Sequence, residues 1–437
     1  MGHALPFLRD KPGFLQACQR EFGDVVPLDI GGPTWLLNDP ADVKHVLVDG
    51  AAAYEKTPKL TSARGRELSG EGLHTATGLE HVMLRRMVQP LFHRRIVEQH
   101  AALIESVTET ELGRWRVGST MHLLPALLQL SQQVMLRALF GPDFTDPDGQ
   151  LARAITTRRA YIEYFFTSNL PVPEYWPLPI VGRYRRARAV MAARIDAAIA
   201  RRRREGPLGD DWLSMLVSGT SRDGVPLTDA QVRDEAITLT STGYETVAAA
   251  LTWTVYLLAT HPAVEQAVRA ELADHPAASA PLLSQVINES MRLFPPTWLY
   301  VRVATTDDEL PGGTRIRRGD KLYLSPYTMH RNPAWYAAPD RFDPSHFAEQ
   351  AVRARPRFAF FPFGGGARQC IGEPFARLEI ALVLGALLQR FRFEPLRTER
   401  PSLRPSIVLE PRDGLPVRLR AAEAGTTRDT GAPMDHV

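Results

Sequence analysis

Apolar positions recur with helical spacing over most of the chain between about residues 80 and 260, which predicts a run of helices. Alternating apolar and polar residues are confined to short segments near the two ends. Residues 24–39, DVVPLDIGGPTWLLND, predict a β-hairpin around Gly31 and Gly32. Residues 297–305 and 317–328 predict further strands. The pattern therefore predicts a mainly α fold with small β-sheets, in the α+β class.

One predicted helix is long enough to cross the whole core. It begins at Thr228, where TDAQ is a capping-box pattern, and it ends before His261 because Pro262 cannot continue a helix. About thirty residues at about 1.5 Å each give a length of about 45 Å. Gly243, Glu245 and neighbouring hydroxyl groups weaken the middle of this helix. Two interpretations stay open: a functional opening, or hydroxyls bonded to their own helix with Glu245 reaching solvent.

Composition excludes several classes of protein. The chain has 437 residues and a net charge of only +3, with 44% hydrophobic and 23% charged residues, which is ordinary for a globular protein. The run Arg201–Arg204 is interpreted as a solvated helix end, and no nucleic-acid partner is expected. No apolar stretch reaches about 18 residues and no signal peptide is seen, so we expect no membrane anchor and a cytoplasmic location.

The chain has two cysteines, Cys18 and Cys370, which is too few for a disulfide framework. Cys370 lies in FPFGGGARQCIG, residues 361–372, just before a helix predicted to begin near Pro374. A helix N-terminus stabilises a thiolate, so we expect the pKa of this thiol to be lowered. The glycines Gly364–Gly366 allow close approach to a flat group, and Arg368 adds a cation.

Several uses of this cysteine lack the other residues that they need. A zinc site or a redox dithiol needs partner cysteines, a phosphate loop needs Lys-Ser or Lys-Thr, and a dinucleotide loop needs GxGxxG. A catalytic cysteine needs a general base, which the local sequence does not identify. A single thiolate ligand to haem iron needs one cysteine. From these residues alone, a haem ligand and a buried structural cysteine both remain open.

Four motifs resemble those of the cytochrome P450 superfamily of haem-thiolate monooxygenases, in its soluble bacterial branch, and they follow one another along the chain in the family's order. One of them is the cysteine stretch, which matches the haem-binding signature F-x-x-G-x-R-x-C-x-G at every fixed position. The others are ESMR, PDRF and TGYET, residues 289–292, 339–342 and 242–246. The residues that carry the resemblance are Phe363, Gly366, Arg368, Cys370, Gly372, Glu289, Arg292, Arg341, Gly243, Glu245 and Thr246.

The resemblance covers nearly the whole chain and implies one haem domain over residues 1–421. Residues 422–437 lack apolar periodicity, which predicts a disordered tail. It implies haem b as the cofactor, Cys370 as the iron ligand and O2 as a co-substrate. Glu245 and Thr246 would deliver protons at the distal face, next to Gly243 and Thr242. Thr242 departs from the family, which usually has alanine or glycine there. Glu289, Arg292 and Arg341 would form a buried network beneath the cysteine loop. The remaining implied cofactor contacts are His81, Arg85, Arg302 and Arg368 to the propionates, with Phe363, Gly364 and Gly372 in the loop.

The resemblance implies that this protein inserts one oxygen atom into a hydrophobic small molecule, such as a terpenoid or another natural product of secondary metabolism. Its electrons would come from a ferredoxin or flavodoxin with an NAD(P)H reductase, docked at Arg85, Arg86, Arg94 and Arg95. The expected pocket residues are Trp298, Leu299, Phe165 and Phe166, together with Tyr175 and Trp176. The alternatives are a peroxide-driven peroxygenase, a fatty-acid hydroxylase, a haem-thiolate isomerase or dehydratase and, remotely, a haem-binding sensor.

Overall fold

The computed structural model describes residues 2–142, 144–168, 176–207, 209–220 and 224–422. Helices dominate these residues, as the apolar spacing predicts. The α-helices are α1 (Ala4–Arg9), α2 (Lys11–Phe22), α3 (Pro40–Lys44), α4 (Pro58–Thr61), α5 (Ala63–Ser69), α6 (Gly78–Val88), α7 (Arg94–Gln99), α8 (Ala101–Leu112), α9 (Leu123–Phe140), α10 (Gln150–Thr167), α11 (Pro179–Glu205), α12 (Trp212–Ser218), α13 (Asp229–Thr242), α14 (Glu245–Thr260), α15 (Pro262–Asp274), α16 (Pro281–Leu293), α17 (Pro326–Met329), α18 (Glu349–Ala354) and α19 (Glu373–Arg390). The predicted tail lies almost wholly beyond the described part, and the domain boundary stays a prediction.

Short strands form four small sheets in the described part of the chain. The strands are β1 (Val25–Asp29), β2 (Pro33–Leu37), β3 (Tyr54–Lys56), β4 (Thr120–His122), β5 (Tyr300–Ala304), β6 (Asp308–Glu309), β7 (Arg315–Ile316), β8 (Lys321–Leu324), β9 (Phe391–Pro395), β10 (Leu403–Pro405), β11 (Leu409–Pro411) and β12 (Pro416–Ala421). The largest sheet has the order β1-β2-β8-β5-β3, and the others are β4-β12-β9, β10-β11 and β6-β7.

The largest sheet joins strands from both ends of the sequence. The predicted hairpin is confirmed, since Val25 pairs with Leu37 and the turn contains Gly31 and Gly32 at φ 67° and 119°. Strand β2 then runs parallel to β8, with Thr34 opposite Lys321. Strand β3 pairs with β5, which places Lys56 opposite Arg302. These pairings bring two basic side chains from opposite ends of the chain to one sheet edge.

The predicted long helix has both predicted ends but is interrupted in the middle. The capping box forms, because the Thr228 hydroxyl accepts from the Gln231 N–H at 3.3 Å and the Gln231 side chain accepts from the Thr228 N–H at 3.0 Å. Regular helix stops at Thr242 and resumes at Glu245. Beyond His261 the chain turns by 112° into α15. The interruption falls on the glycine and acid that the sequence singled out.

Helix α14 lies in the centre of the core and packs on α9, α16 and α19. The rings of Trp253 and Phe294 stack at 4.0 Å with an interplanar angle of 6°, which fixes α14 against the end of α16. Helix α9 is long and apolar enough to span a membrane by length and composition, so the expectation that no segment reaches that length was wrong. The bent pair formed by residues 229–260 and α15 also meets these criteria of length and composition when it is taken as one span. About two thirds of α9, 67%, is buried inside the protein, as in a core helix.

Candidate active site

Cys370 lies in the loop that leads into helix α19, as the sequence predicts. Its N–H donates to the Phe363 carbonyl at 2.9 Å, which closes the loop, and Gly372 is the residue that caps α19. The thiol is accessible from a cleft of about 240 Å³ that Cys370 lines together with His93 and Glu373. Burial raises the pKa of the Cys370 thiol, although the N–H groups of Gly372 and Glu373 oppose the shift. The expected lowering was therefore wrong, because desolvation outweighs the helix N-terminus.

Three glycines fix the backbone of this loop through close packing with protein. Gly364 and Gly366 have φ of 72° and 66°, which favours glycine. A Cβ atom on Gly366 would lie 1.9 Å from the Leu47 carbonyl oxygen, and one on Gly365 would lie 2.4 Å from the Phe358 ring. The glycine run thus lets the loop press against the π-helical turn His45–Asp49.

Glu289 and Arg292 form the predicted pair, and both side chains are fully buried. The Arg292 Nε donates to Glu289 Oε2 at 2.7 Å. Arg341 contributes only its backbone carbonyl, which accepts from Arg292 at 2.8 Å, while its side chain is exposed. Arg341 thus joins the network as predicted, but through its backbone and not through its guanidinium. His346, five residues later, lies there instead, with Nδ1 3.2 Å from Glu289 Oε1.

A histidine that the sequence analysis did not single out links this network to the cysteine stretch. Arg292 Nη1 donates to the His330 carbonyl at 2.8 Å. The Nε2 of His330 accepts the Phe361 N–H at 3.0 Å. Burial keeps the pKa of His330 well below its usual range, so the ring stays neutral and can accept this bond. Only the tertiary fold shows the link, because a lone histidine carries no pattern.

Four predicted basic residues gather on one side of the cysteine loop. Arg85 donates to the Gln369 carbonyl at 2.8 Å, Arg368 to the Ala76 carbonyl at 2.9 Å, and Arg302 to the Val301 carbonyl at 3.0 Å. Burial lowers the pKa of His81 to about 4, so it is a neutral hydrogen-bonding group and not the cation that the sequence led us to expect.

Lys56 is a basic member of this cluster that the sequence analysis missed. It lies opposite Arg302 in the sheet, and its Nζ donates to the His74 carbonyl at 2.6 Å. Burial, then Arg368, Arg302 and Arg85, lower the pKa of Lys56 to about 7. In the described part of the chain these cations bond to backbone carbonyls and form no ion pair within 4 Å. The cluster therefore has unused capacity for a ligand with carboxylates.

At the interruption of the helix, Thr242 is accessible, and Gly243 and Thr246 are partly accessible. The Thr242 hydroxyl donates to the Thr238 carbonyl at 2.9 Å, so it is bonded to its own helix. Ser241 bonds back in the same way, to the Ile237 carbonyl at 2.6 Å. A Cβ atom on Gly243 would lie 1.9 Å from the Met135 methyl group, which explains the glycine by packing with α9.

Glu245 does not reach solvent, so that part of the second interpretation of this helix is wrong, whereas its hydroxyls do bond to their own helix. Its Oε2 lies 2.9 Å from Arg159 Nε on α10. Arg159 also contacts Glu410, which in turn contacts Arg404. No sequence pattern indicates these partners, since they lie on three distant elements.

The aromatic residues expected around a pocket serve mainly as core. Trp298 is 5% exposed and its indole N–H donates to the Ser406 carbonyl at 2.9 Å. Leu299 is partly buried beside it. Phe165 and Phe166 pack between α5, α10 and α11. Trp176 is 48% exposed, and Tyr175 lies outside the described residues. The burial of Trp298 and Phe165 favours a role in the core, and the pocket roles of Trp298, Phe165, Phe166 and Leu299 stay predictions.

Comparison with known proteins identifies the family. The family model described as Cytochrome P450 matches residues 1–416. The chain belongs to the cytochrome P450 family. It is 32% identical over 423 residues to cyclooctatin synthase of Streptomyces melanosporofaciens, covering 93% of this chain and 91% of that protein. It is 29% identical over 417 residues to pentalenene oxygenase of Streptomyces avermitilis, covering 92% and 91%.

Solved P450 structures share the fold over nearly the whole chain. A cyanobacterial P450 with retinoic acid bound has a TM-score of 0.85 and 26% identity, covering 96% of both chains. The haem domain of cytochrome P450DA has a TM-score of 0.86 and 25% identity, covering 96% and 95%. The P450 described here is thus a haem-dependent monooxygenase that uses O2.

The donor set of this P450 fits haem. One accessible thiol lies at the closed end of the loop, and Lys56, Arg85, Arg302 and Arg368 supply cations for two carboxylates. No group of three or more potential metal-binding side chains occurs among the described residues.

Proposed function

We propose that this P450 hydroxylates or epoxidises a terpenoid or a related natural product, in the cytoplasm, with electrons from a ferredoxin or flavodoxin and its NAD(P)H reductase. The similarity to three proteins carries the substrate class: cyclooctatin synthase, cyclooctat-9-en-7-ol 5-monooxygenase and pentalenene oxygenase, at 32%, 31% and 29% identity. The last two names describe oxidation of a polycyclic lipophile or its alcohol.

Cys370 would hold the haem iron, while Arg85, Arg302, Arg368 and Lys56 would hold the propionates. When bound, haem activates O2 with two electrons and two protons, so that one oxygen atom enters the substrate and the other leaves as water. The Glu289–Arg292 pair and His330 support the loop from below through the Phe361 N–H. These residues set the position of the thiol and do not touch the reacting atoms.

Proton delivery would fall to Glu245 and Thr246 at the helix interruption. Thr246 is partly accessible in the interior, whereas the Thr242 hydroxyl is engaged by its own helix. Glu245 is joined to Arg159 and through it to Glu410. Arg159 keeps its own proton and would only hold the Glu245 carboxylate in place, so Glu245, the residue next to Thr246, would be the proton donor of the pair.

Electron delivery would use the exposed basic residues Arg86, Arg94 and Arg95, beside the cleft that Cys370 lines. Arg85 lines the same cleft, but its side chain is engaged by the Gln369 carbonyl of the cysteine loop. Association of an acidic ferredoxin with these cations falls steeply with salt. Turnover supported by a ferredoxin should therefore drop as ionic strength rises, and a flat response would contradict this docking surface.

The proposed function is tested with the purified haem protein, a [2Fe–2S] ferredoxin, its reductase and NADPH. Farnesene, farnesol and geranylgeraniol serve as probes under ¹⁸O₂, and mass spectrometry measures incorporation of one ¹⁸O atom into product. The expected result is labelled product that depends on ferredoxin. Product formed only with hydrogen peroxide would favour the peroxygenase, and oxidation of lauric acid but of no terpenoid would favour the fatty-acid hydroxylase.

A further inference from the structure

The loop of residues 70–76, between α5 and α6, is held in place from several sides. The Leu73 N–H donates to Glu235 Oε1 at 2.8 Å, and the Thr75 hydroxyl donates to the Gly70 carbonyl at 2.6 Å. Lys56 and Arg368 bond to the carbonyls of His74 and Ala76 at 2.6 and 2.9 Å. Leu73, Thr75 and Ala76 are buried. This anchoring presents the His74 side chain in a fixed position.

The His74 ring has accessible surface although it lies deep in the protein. That surface therefore faces an internal space and not the outside. Burial, then Lys56 and Arg158, lower the pKa of His74 to about 3, so the ring is neutral, with one N–H donor and one acceptor nitrogen. Its ring has no hydrogen-bond partner among the described residues. The donor and the acceptor of the ring are therefore both open to a polar group of a bound ligand.

The same loop lies directly against the helix that carries the acid and alcohol. A Cβ atom on Gly72 would lie 2.3 Å from the Thr238 hydroxyl. Thr242 is one turn further along on the same face, and it is accessible inside the core. His74 therefore borders the interior space that Thr242 faces.

A second polar group lies at this end of the space. Arg158 of α10 is 5% exposed, and it donates to the Ser241 hydroxyl and to the Leu68 carbonyl. In the described part of the chain, no carboxylate oxygen lies within 4 Å of its guanidinium. Arg158 thus bridges the helix beside Thr242 and the end of α5 that leads into the loop carrying His74, which places both polar groups at the same side of this space.

We propose that His74 binds a hydroxyl or carbonyl oxygen of the substrate, so that this P450 acts on a lipophile that already carries an oxygen. Arg158 keeps that end of the cavity electropositive. This rests on the proposed function, in which the substrate is a terpenoid or a similar lipophile. A hydrocarbon would leave the His74 ring without a partner in a buried site, which costs affinity. An earlier oxygenation, or a cyclisation that ends with addition of water, must then supply the substrate.

The test is a binding titration of the haem protein with pairs of alcohol and hydrocarbon on similar skeletons. Farnesol is compared with farnesene, and 1-dodecanol with dodecane, by calorimetry and by the spectral shift of the haem. In His74→Phe we expect the affinity for the alcohol to fall about tenfold, while the affinity for the hydrocarbon is kept or improved. His74→Gln, which keeps a donor and an acceptor, should retain most of the alcohol affinity. His122→Phe, at an exposed position, should change neither.

Each outcome decides a separate point. If the ratio of alcohol to hydrocarbon affinity is the same in the wild type and His74→Phe for every pair, the assignment of His74 is overturned. If the dodecanol pair shows the expected change but neither farnesene nor farnesol binds, His74 is upheld and the terpenoid proposal fails. A titration with farnesoic acid separates the two polar groups. If Arg158→Met weakens binding of this acid and His74→Phe does not, Arg158 recognises a carboxylate of the substrate and the proposal for His74 is overturned.

Discussion

The Nε atom of Arg159 lies 2.9 Å from Oε2 of Glu245, so the acid at the helix interruption is ion-paired from the neighbouring helix α10. Both side chains are largely buried, at 16% and 13% exposure. Although burial opposes its charge, Glu245 and Glu410 together raise the pKa of Arg159. Glu245 thus has a charged partner that couples it to α10 and to the β10-β11 hairpin.

Replacing this arginine should shift the pH dependence of turnover. Burial raises the pKa of Glu245 and Arg159 opposes the shift, so Arg159→Met should raise the pKa further. The carboxylate is then present only at higher pH, and the ascending limb of the profile of turnover rate against pH should move to higher pH. Arg404→Met is the matched control, because Arg404 pairs with Glu410 and Glu163 but not with Glu245. Identical profiles for Arg159→Met and wild type would contradict the coupling.

Thr246→Ala should uncouple oxygen consumption from product formation. The hydroxyl of Thr246 is the one expected to pass protons, and its loss should divert reducing equivalents to peroxide or water. The ratio of product to NADPH consumed measures this, with a decrease of several-fold expected. Thr246→Ser should keep most of the coupling. Thr242→Ala should leave it unchanged because the Thr242 hydroxyl already bonds to the Thr238 carbonyl, and a large effect there would reverse the two roles.

Cys370→Ser should abolish the red-shifted Soret band of the reduced protein under carbon monoxide, because that band requires a thiolate ligand to iron. Cys18→Ser is the control, since Cys18 is 7% exposed in α2 and packs in a separate hydrophobic cluster. We expect the Cys18 variant to keep the band. A red-shifted band that survives in Cys370→Ser would exclude Cys370 as the ligand.

His346→Phe should lower the free energy of unfolding by about 2 kcal/mol, the scale of a lost hydrogen bond to a charged group. Both ring nitrogens face acceptors, with Nδ1 3.2 Å from Glu289 Oε1 and Nε2 2.9 Å from the Ala337 carbonyl. His346→Arg keeps hydrogen-bond donors toward Glu289 and the Ala337 carbonyl and should cost less. Equal urea midpoints for His346→Phe and wild type would show that the contact with Glu289 adds nothing.

Haem binding should weaken as pH rises from 6 to 9. Burial and neighbouring cations lower the pKa of Lys56 from its ordinary value to about 7, so the side chain is charged and attracts propionates below that pH and is neutral above it. The rate of haem transfer to apomyoglobin measures the affinity. In Lys56→Met this pH dependence should flatten and haem should be lost faster at pH 6. Lys44→Met, on the exposed end of α3, should behave as wild type.

The sequence alone determined the local features of this P450. The capping box at Thr228, the hairpin turn at Gly31 and Gly32 and the loop that closes on Cys370 all depend on residues a few positions apart, so their physics is readable from short stretches. The Glu289–Arg292 pair belongs to the same class, because residues at i and i+3 share a helix face.

Only the tertiary structure decided which distant groups meet and how deeply they are buried. His346 in place of the Arg341 side chain, Lys56 beside Arg302, and Arg159 on Glu245 all join segments far apart in sequence. Burial also made two expectations about charge wrong, since desolvation raises the pKa of the Cys370 thiol and lowers that of His81, so that His81 is neutral. The physical reason is common to all of them: the cost of burying a charge depends on the whole surroundings of a side chain, and a sequence motif contains only its neighbours along the chain.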